Sequence, residues 1–145
     1  MSDTQPTKRG STRTKARKRA LDLLFEAELR ELAVADVLAA HTERAEPPVR
    51  PFTATLVTGV AENREEFDAM ISAHLPSGWT IDRMPRVDRN LARLAIYELT
   101  RTDTDAAVVL AEAVALAGDL STDESPAFLN GVLGSVSRSL SSTAS

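Results

Sequence analysis

The chain has no cysteine among its 145 residues, which excludes disulfides, a thiolate nucleophile and zinc–thiolate sites, and suits the cytoplasm. No apolar run approaches the roughly 18 residues that suggest a membrane span, and the N-terminus lacks the apolar core of a signal peptide. Period-two alternation of β-branched residues is missing, so strands are not expected. Neither a phosphate-cradling Gly-rich loop nor a nucleophile elbow occurs. His41 and His74 stand alone, without a second ligand at metal spacing. Adjacent Glu65 and Glu66 would point about 100° apart on a helix and cannot act as a carboxylate pair. These absences point to a binding protein without metal or cofactor, and not to an enzyme.

What is present is an uneven charge. The net charge is −4, from 17 basic and 21 acidic side chains. Lys8, Arg9, Arg13, Lys15, Arg17, Lys18 and Arg19 place seven cations in the first nineteen residues against Asp3 alone, or +6, and leave −10 on the remainder. A basic head on an acidic body is the asymmetry expected where one segment meets a polyanion. The second half of that head reads as the start of a helix. Ser11 or Thr12 can cap it, and Ala16, Ala20, Leu23, Leu24 and Ala27 follow at helical spacing. Clustered cations near a helix N-terminus oppose the macrodipole by roughly 0.3–1 kcal/mol, so helix stability does not account for them. A phosphate backbone does. The plainer alternative is a solubilising N-terminus with Lys18 and Arg19 paired to Asp22.

The pattern predicts helices over about 12–31 and 34–44, one long or two abutting helices over 51–75, and a short element carrying Trp79 and Ile81. Further helices run over about 86–101, from Ala106 to a stop at Gly118, and from Ser125 to about Leu140. Asp105 is a favourable N-cap, Gly59 could mark a close contact, and residues 1–10 and 139–145 are expected to be disordered tails around a domain spanning 11–138. The first helix carries a second apolar stripe, Leu21, Phe25, Leu29 and Leu32, which either lies buried at the centre or meets a partner. Arg86, Arg89, Arg93 and Tyr97 share one face of the helix over 86–101, either a second phosphate stripe or its wet side. Glu98 falls within the apolar stripe of that helix and needs a cation or hydrogen-bond donors, so it reads as a structural acid.

The segment Val87-Asp88-Arg89-Asn90-Leu91-Ala92-Arg93-Leu94-Ala95-Ile96-Tyr97-Glu98-Leu99 resembles the signature of the NusB family of bacterial transcription antitermination factors. Two further blocks, Glu112 to Ala117 and Phe128 to Leu133, resemble that family's later motifs in the right order, and the run from Arg13 to Arg17 resembles its arginine-rich opening helix. The resemblance implies an all-α fold of about seven helices in two packed helical subdomains. It also implies pairing with NusE, a small-subunit ribosomal protein, binding of single-stranded boxA RNA from ribosomal RNA operons, and entry into an RNA polymerase antitermination complex. Its RNA-contacting segment falls on Arg13, Lys15 and Arg17, beside the further cations Lys18 and Arg19, and an aromatic near the RNA falls on Phe128. Positions of the NusE surface fall on Phe25 and Asp88. The chain departs from the family pattern at Ala111, Gly118 and Ala127, where an Asn and two Lys are usual, so fewer cations surround its last helices. Two rivals remain: a structural protein that self-associates, as a homodimer, through the second stripe of the first helix, and a domain related to the accessory domains of RNA cytosine methyltransferases.

Overall fold

The structure is a computed structural model and describes residues 11–44 and 47–144. It contains seven α-helices: α1 (Thr12–Arg30), α2 (Val34–Arg44), α3 (Pro51–Glu62), α4 (Arg64–Ala73), α5 (Arg86–Arg101), α6 (Ala106–Leu120) and α7 (Ser125–Ala144). A single 3-10 turn, Ile81–Arg83, leads into α5, and no strand occurs among the described residues. No helix of the described residues is long and apolar enough to cross a membrane.

Local chemistry sets the helix ends. The Ser11 hydroxyl accepts the Thr14 N–H at 3.1 Å and starts α1, and Asp105 does the same for α6 through the Ala107 N–H at 3.2 Å. At the end of α1, Glu31 turns left-handed at φ 55° and the Leu32 N–H closes back on the Ala27 carbonyl at 2.9 Å. Asn63 separates α3 from α4, so the segment over 51–75 is two abutting helices.

The helix α5 is the axis of the fold. Leu91 to Ile96 form a run buried on all sides, because α1 and α3 pack on one flank while α4, α6 and α7 pack on others. Helices α1–α3 contact one another and α6 pairs with α7, which gives two helical subdomains joined across α5. The predicted stripe of α1 (Ala16, Ala20, Leu23, Leu24 and Ala27) is wholly buried, as are Leu129, Leu133 and Val136 of α7. Gly59 sits so close to the Tyr97 ring that an added Cβ would collide with it, the close contact its position suggested.

Two expectations about helix ends are corrected. The helix α7 continues to Ala144 instead of giving way to a disordered tail at 139; the run Ser139 to Ala144 contains neither Gly nor Pro to stop it. Gly118 does not end α6, which runs on to Leu120 before Ser121, since one exposed Gly in a helix costs only about 1 kcal/mol. The tail over 1–10 lies outside the described residues.

Candidate nucleic-acid interface

Helix α1 presents two different kinds of cation. Arg13, Lys15 and Lys18 are exposed. Lys18 makes a solvent-exposed i,i+4 pair with Asp22 at 3.2 Å, of the kind worth little and easily exchanged. The Arg13 guanidinium lies over the ring of Phe52, the second residue of α3, at 3.7 Å from its centroid, a cation–π contact that orients the cation while leaving its outer face in water. Phe52 carried no sequence signal of this role. Arg19 is half-buried and reaches the Pro47 carbonyl at 3.5 Å and His41 Nδ1 at 3.4 Å, not Asp22.

Arg17 is the exception and a correction to its assignment as an RNA contact: it is 6% exposed. Its Nε and Nη2 donate to the two Glu98 oxygens at 2.7 and 2.9 Å, and its Nη1 donates to Glu112 Oε1 at 3.1 Å. The Thr14 hydroxyl donates to the same Glu112 oxygen at 2.8 Å and accepts from Ser11 Oγ at 2.9 Å. Burial alone would lower the Arg17 pKa, but the hydrogen bond and charge of Glu98, then those of Glu112, outweigh it and raise it. The guanidinium is therefore charged, spends three of its N–H donors on the two buried carboxylates and is closed off from phosphate by its burial. Its role is to pin the first turns of α1 to α5 and α6, which fixes the direction in which Arg13, Lys15 and Lys18 project. Glu98 is the structural acid its apolar surroundings demanded, and Arg17 is its cation. Glu112 entered the sequence reading only as the first residue of a family block, although it gave the same signal, a carboxylate inside the apolar run Ala106 to Ala117.

The arginine face of α5 is neither a phosphate stripe nor a wet side. Arg86 Nε donates to Glu28 Oε2 at 3.2 Å, Arg89 makes a short bond to the same oxygen, and Asn90 Nδ2 donates to Glu28 Oε1 at 2.9 Å. Arg93, 3% exposed, forms a two-pronged pair with Asp68 at 2.7 and 3.0 Å. These bonds clamp α5 to α1 and α4. Partial burial would raise the Glu28 pKa, but Asn90, Arg89 and Arg86 outweigh it and hold it below its ordinary value. A depressed folded-state value means that the stabilisation is complete above the unfolded value of about 4.3 and is lost as pH falls through the folded one. Denaturant titrations across the acid range should therefore show Glu28→Gln less stable than the parent near neutrality and less sensitive to pH below about 4. An equally steep acid limb in the variant would remove Glu28 from this role.

Asp88 is a second correction. It is 2% exposed and accepts from the Ser121 and Ser125 hydroxyls at 2.6 and 2.8 Å, so it ties the start of α5 to the α6–α7 connection and offers no carboxylate to a partner. Phe25 is half-buried with the Arg86 guanidinium 5.9 Å from its ring centroid. Farther along the stripe it belongs to, Leu21 is buried whereas Leu29 and Leu32 are exposed, so that stripe divides between core and surface. Phe128 is half-buried at the start of α7, with its ring centroid 5.5 Å from that of Trp79. The structure thus gathers Arg13, Lys15 and Lys18 in the first half of α1, and places Phe25 beside Arg86 at the start of α5 and Phe128 at the start of α7, which Ser125 ties to that same end of α5. Among the described residues, no group of three or more His, Asp or Glu side chains could hold a metal ion.

Comparison with known proteins agrees with this architecture. The protein named "Transcription antitermination protein NusB" from Acidothermus cellulolyticus is 58% identical over 86% of this chain and 86% of its own length. The solved structure of T. maritima NusB superposes with a TM-score of 0.79 at 28% identity, covering 88% of this chain and 92% of that one. A crystal structure of antitermination factors NusB and NusE in complex with dsRNA includes a chain that matches with a TM-score of 0.77 at 26% identity, over 88% of this chain and 96% of that one. The family model that matches is described as the NusB family and extends over residues 14–138. With that match spanning most of its length, the chain belongs to the NusB family.

Proposed function

We propose that the chain is an RNA-binding adaptor of transcription antitermination, not a catalyst. In this reading it pairs with NusE, holds boxA-type single-stranded leader RNA and joins the RNA polymerase antitermination complex. The observation that carries this reading is the exposed trio Arg13, Lys15 and Lys18 on a helix whose start is pinned from below by Arg17. Preset cations lose less freedom when they meet phosphate than cations on a loose tail.

Three phosphate contacts to a single strand imply that log K falls with log salt at a slope of about −2. Replacing Arg13, Lys15 and Lys18 together by Gln should remove most of the affinity and most of the slope, while thermal melting stays nearly unchanged because none of the three is buried. Truncation through residue 19 is a poor substitute, since it would also remove Arg17. RNA affinity in the triple variant equal to that of the parent would overturn the reading. For the protein partner, the open side of Phe25 is the proposed anchor, and Phe25→Ala is expected to weaken NusE binding by about 1–3 kcal/mol in calorimetric titration.

The exposed side chains Leu29 and Leu32 favour one other reading, self-association through the end of α1. Sedimentation of the parent beside Leu29→Lys separates the two, since RNA binding by a monomer leaves that variant unaffected.

A further inference from the structure

Trp79 is the chain's only tryptophan and is 47% exposed. A ring of that size placed for packing alone would be expected inside, as Phe67 is. It does not sit on a loose loop. The Trp79 N–H closes a turn onto the Pro76 carbonyl at 3.0 Å, Gly78 supplies the left-handed residue that turn needs at φ 85°, and the 3-10 turn Ile81–Arg83 follows directly. The ring meets Phe128 at a tilt of 41° with centroids 5.5 Å apart. The Arg83 guanidinium lies 5.9 Å from the Trp79 centroid, is exposed, and has no carboxylate partner among the described residues. A Trp ring that is 47% exposed, a half-buried Phe ring against it and an exposed planar cation form the kind of surface on which unstacked bases of single-stranded RNA rest.

We propose that Trp79 is an RNA base-stacking residue that forms, with Phe128 and Arg83, a second contact region at the far end of the molecule from the basic start of α1. The proposal rests on the RNA-binding reading above and adds to it a site for a base instead of a phosphate. Exposed Asp82, Asp123 and Glu124 lie close by in sequence and disfavour a phosphate over the rings, which is a further reason the contact is to a base face. Helix α1 runs antiparallel to α5, with Arg17 beside Glu98 and Glu28 beside Arg86. The eleven-residue step from Arg17 to Glu28 covers roughly 16 Å along α1, and one strand must cover at least about that length to engage both regions.

The single tryptophan provides its own probe. On titrating the full chain with a short boxA-type single-stranded RNA, Trp79 fluorescence should be quenched saturably, with the same midpoint as binding measured on labelled RNA. Trp79→Ala should bind that RNA about ten-fold or more weakly with an unchanged salt slope, because stacking releases no counterions, and Trp79→Phe should recover most of the loss. Full affinity in Trp79→Ala, or binding by the parent without quenching, would overturn the proposal and leave the basic segment as the RNA contact. Quenching by added NusE but not by RNA would also overturn it, making the ring a protein contact. Failure of the parent to bind RNA at all, with or without NusE, would sink the broader RNA reading instead.

Discussion

Arg17→Ala is expected to cost about 3–5 kcal/mol of folding stability, the range seen when one partner of a buried ion pair is removed. The loss is large because two buried carboxylates share one guanidinium: Glu98 takes two bonds from it, and Glu112 takes one beside that of the Thr14 hydroxyl. Glu98 and Glu112 are both almost fully buried, and without Arg17 they share a dry site as like charges. Arg17→Lys should recover only part of the loss, since a single ammonium cannot reproduce the two-pronged bond to Glu98 together with the bond to Glu112. Equilibrium denaturation of Arg17→Ala, Glu98→Ala and the double variant should be strongly non-additive, because removing the second partner relieves an orphaned charge created by the first. RNA binding supplies an independent check. If Arg17 acts only by pinning α1, the folded Arg17→Ala protein binds RNA more weakly with an unaltered salt slope. A slope shallower by about 0.7 would show instead that Arg17 touches phosphate.

The contrast between Arg17 and its neighbours marks where the sequence was readable. Local, periodic features were open to inspection: the buried stripe of α1, the Asp105 cap, the close approach at Gly59 and the structural role of Glu98 all follow from spacing or from a residue type in an incongruous setting. Arg17 could not be separated from the six other cations around it, because what singles it out lies 81 and 95 residues away at Glu98 and Glu112. Asp88 was misread for the same reason, its serine partners being 33 and 37 positions downstream. The arginines of α5 were placed correctly on one face, but that face turns toward Glu28 of α1 and Asp68 of α4, contacts that only tertiary packing creates. Helix periodicity shows which side of a helix a residue occupies. It does not show which other helix will cover that side.

Asp88→Lys is expected to unfold or severely destabilise the protein, by about 3 kcal/mol or more, although a surface carboxylate at that position would have tolerated the change. The substitution removes the acceptor of the Ser121 and Ser125 hydroxyls, forces an ammonium into a site that is 2% exposed, and places a cation in the first turn of α5, where the helix dipole opposes it. Asp88→Asn keeps an oxygen acceptor and adds no charge, so it should lose far less stability, on the order of 1 kcal/mol. Partner binding then separates the two accounts of Asp88. If the residue is an internal tie, Asp88→Asn binds NusE like the parent, and the defect of Asp88→Lys tracks its folded fraction as temperature is lowered. A fully folded Asp88→Lys protein with weakened, salt-sensitive association would return Asp88 to the interface. The short bonds to both serines make that outcome hard to reach, because a carboxylate facing a partner would have to abandon the α6–α7 connection that it holds against α5.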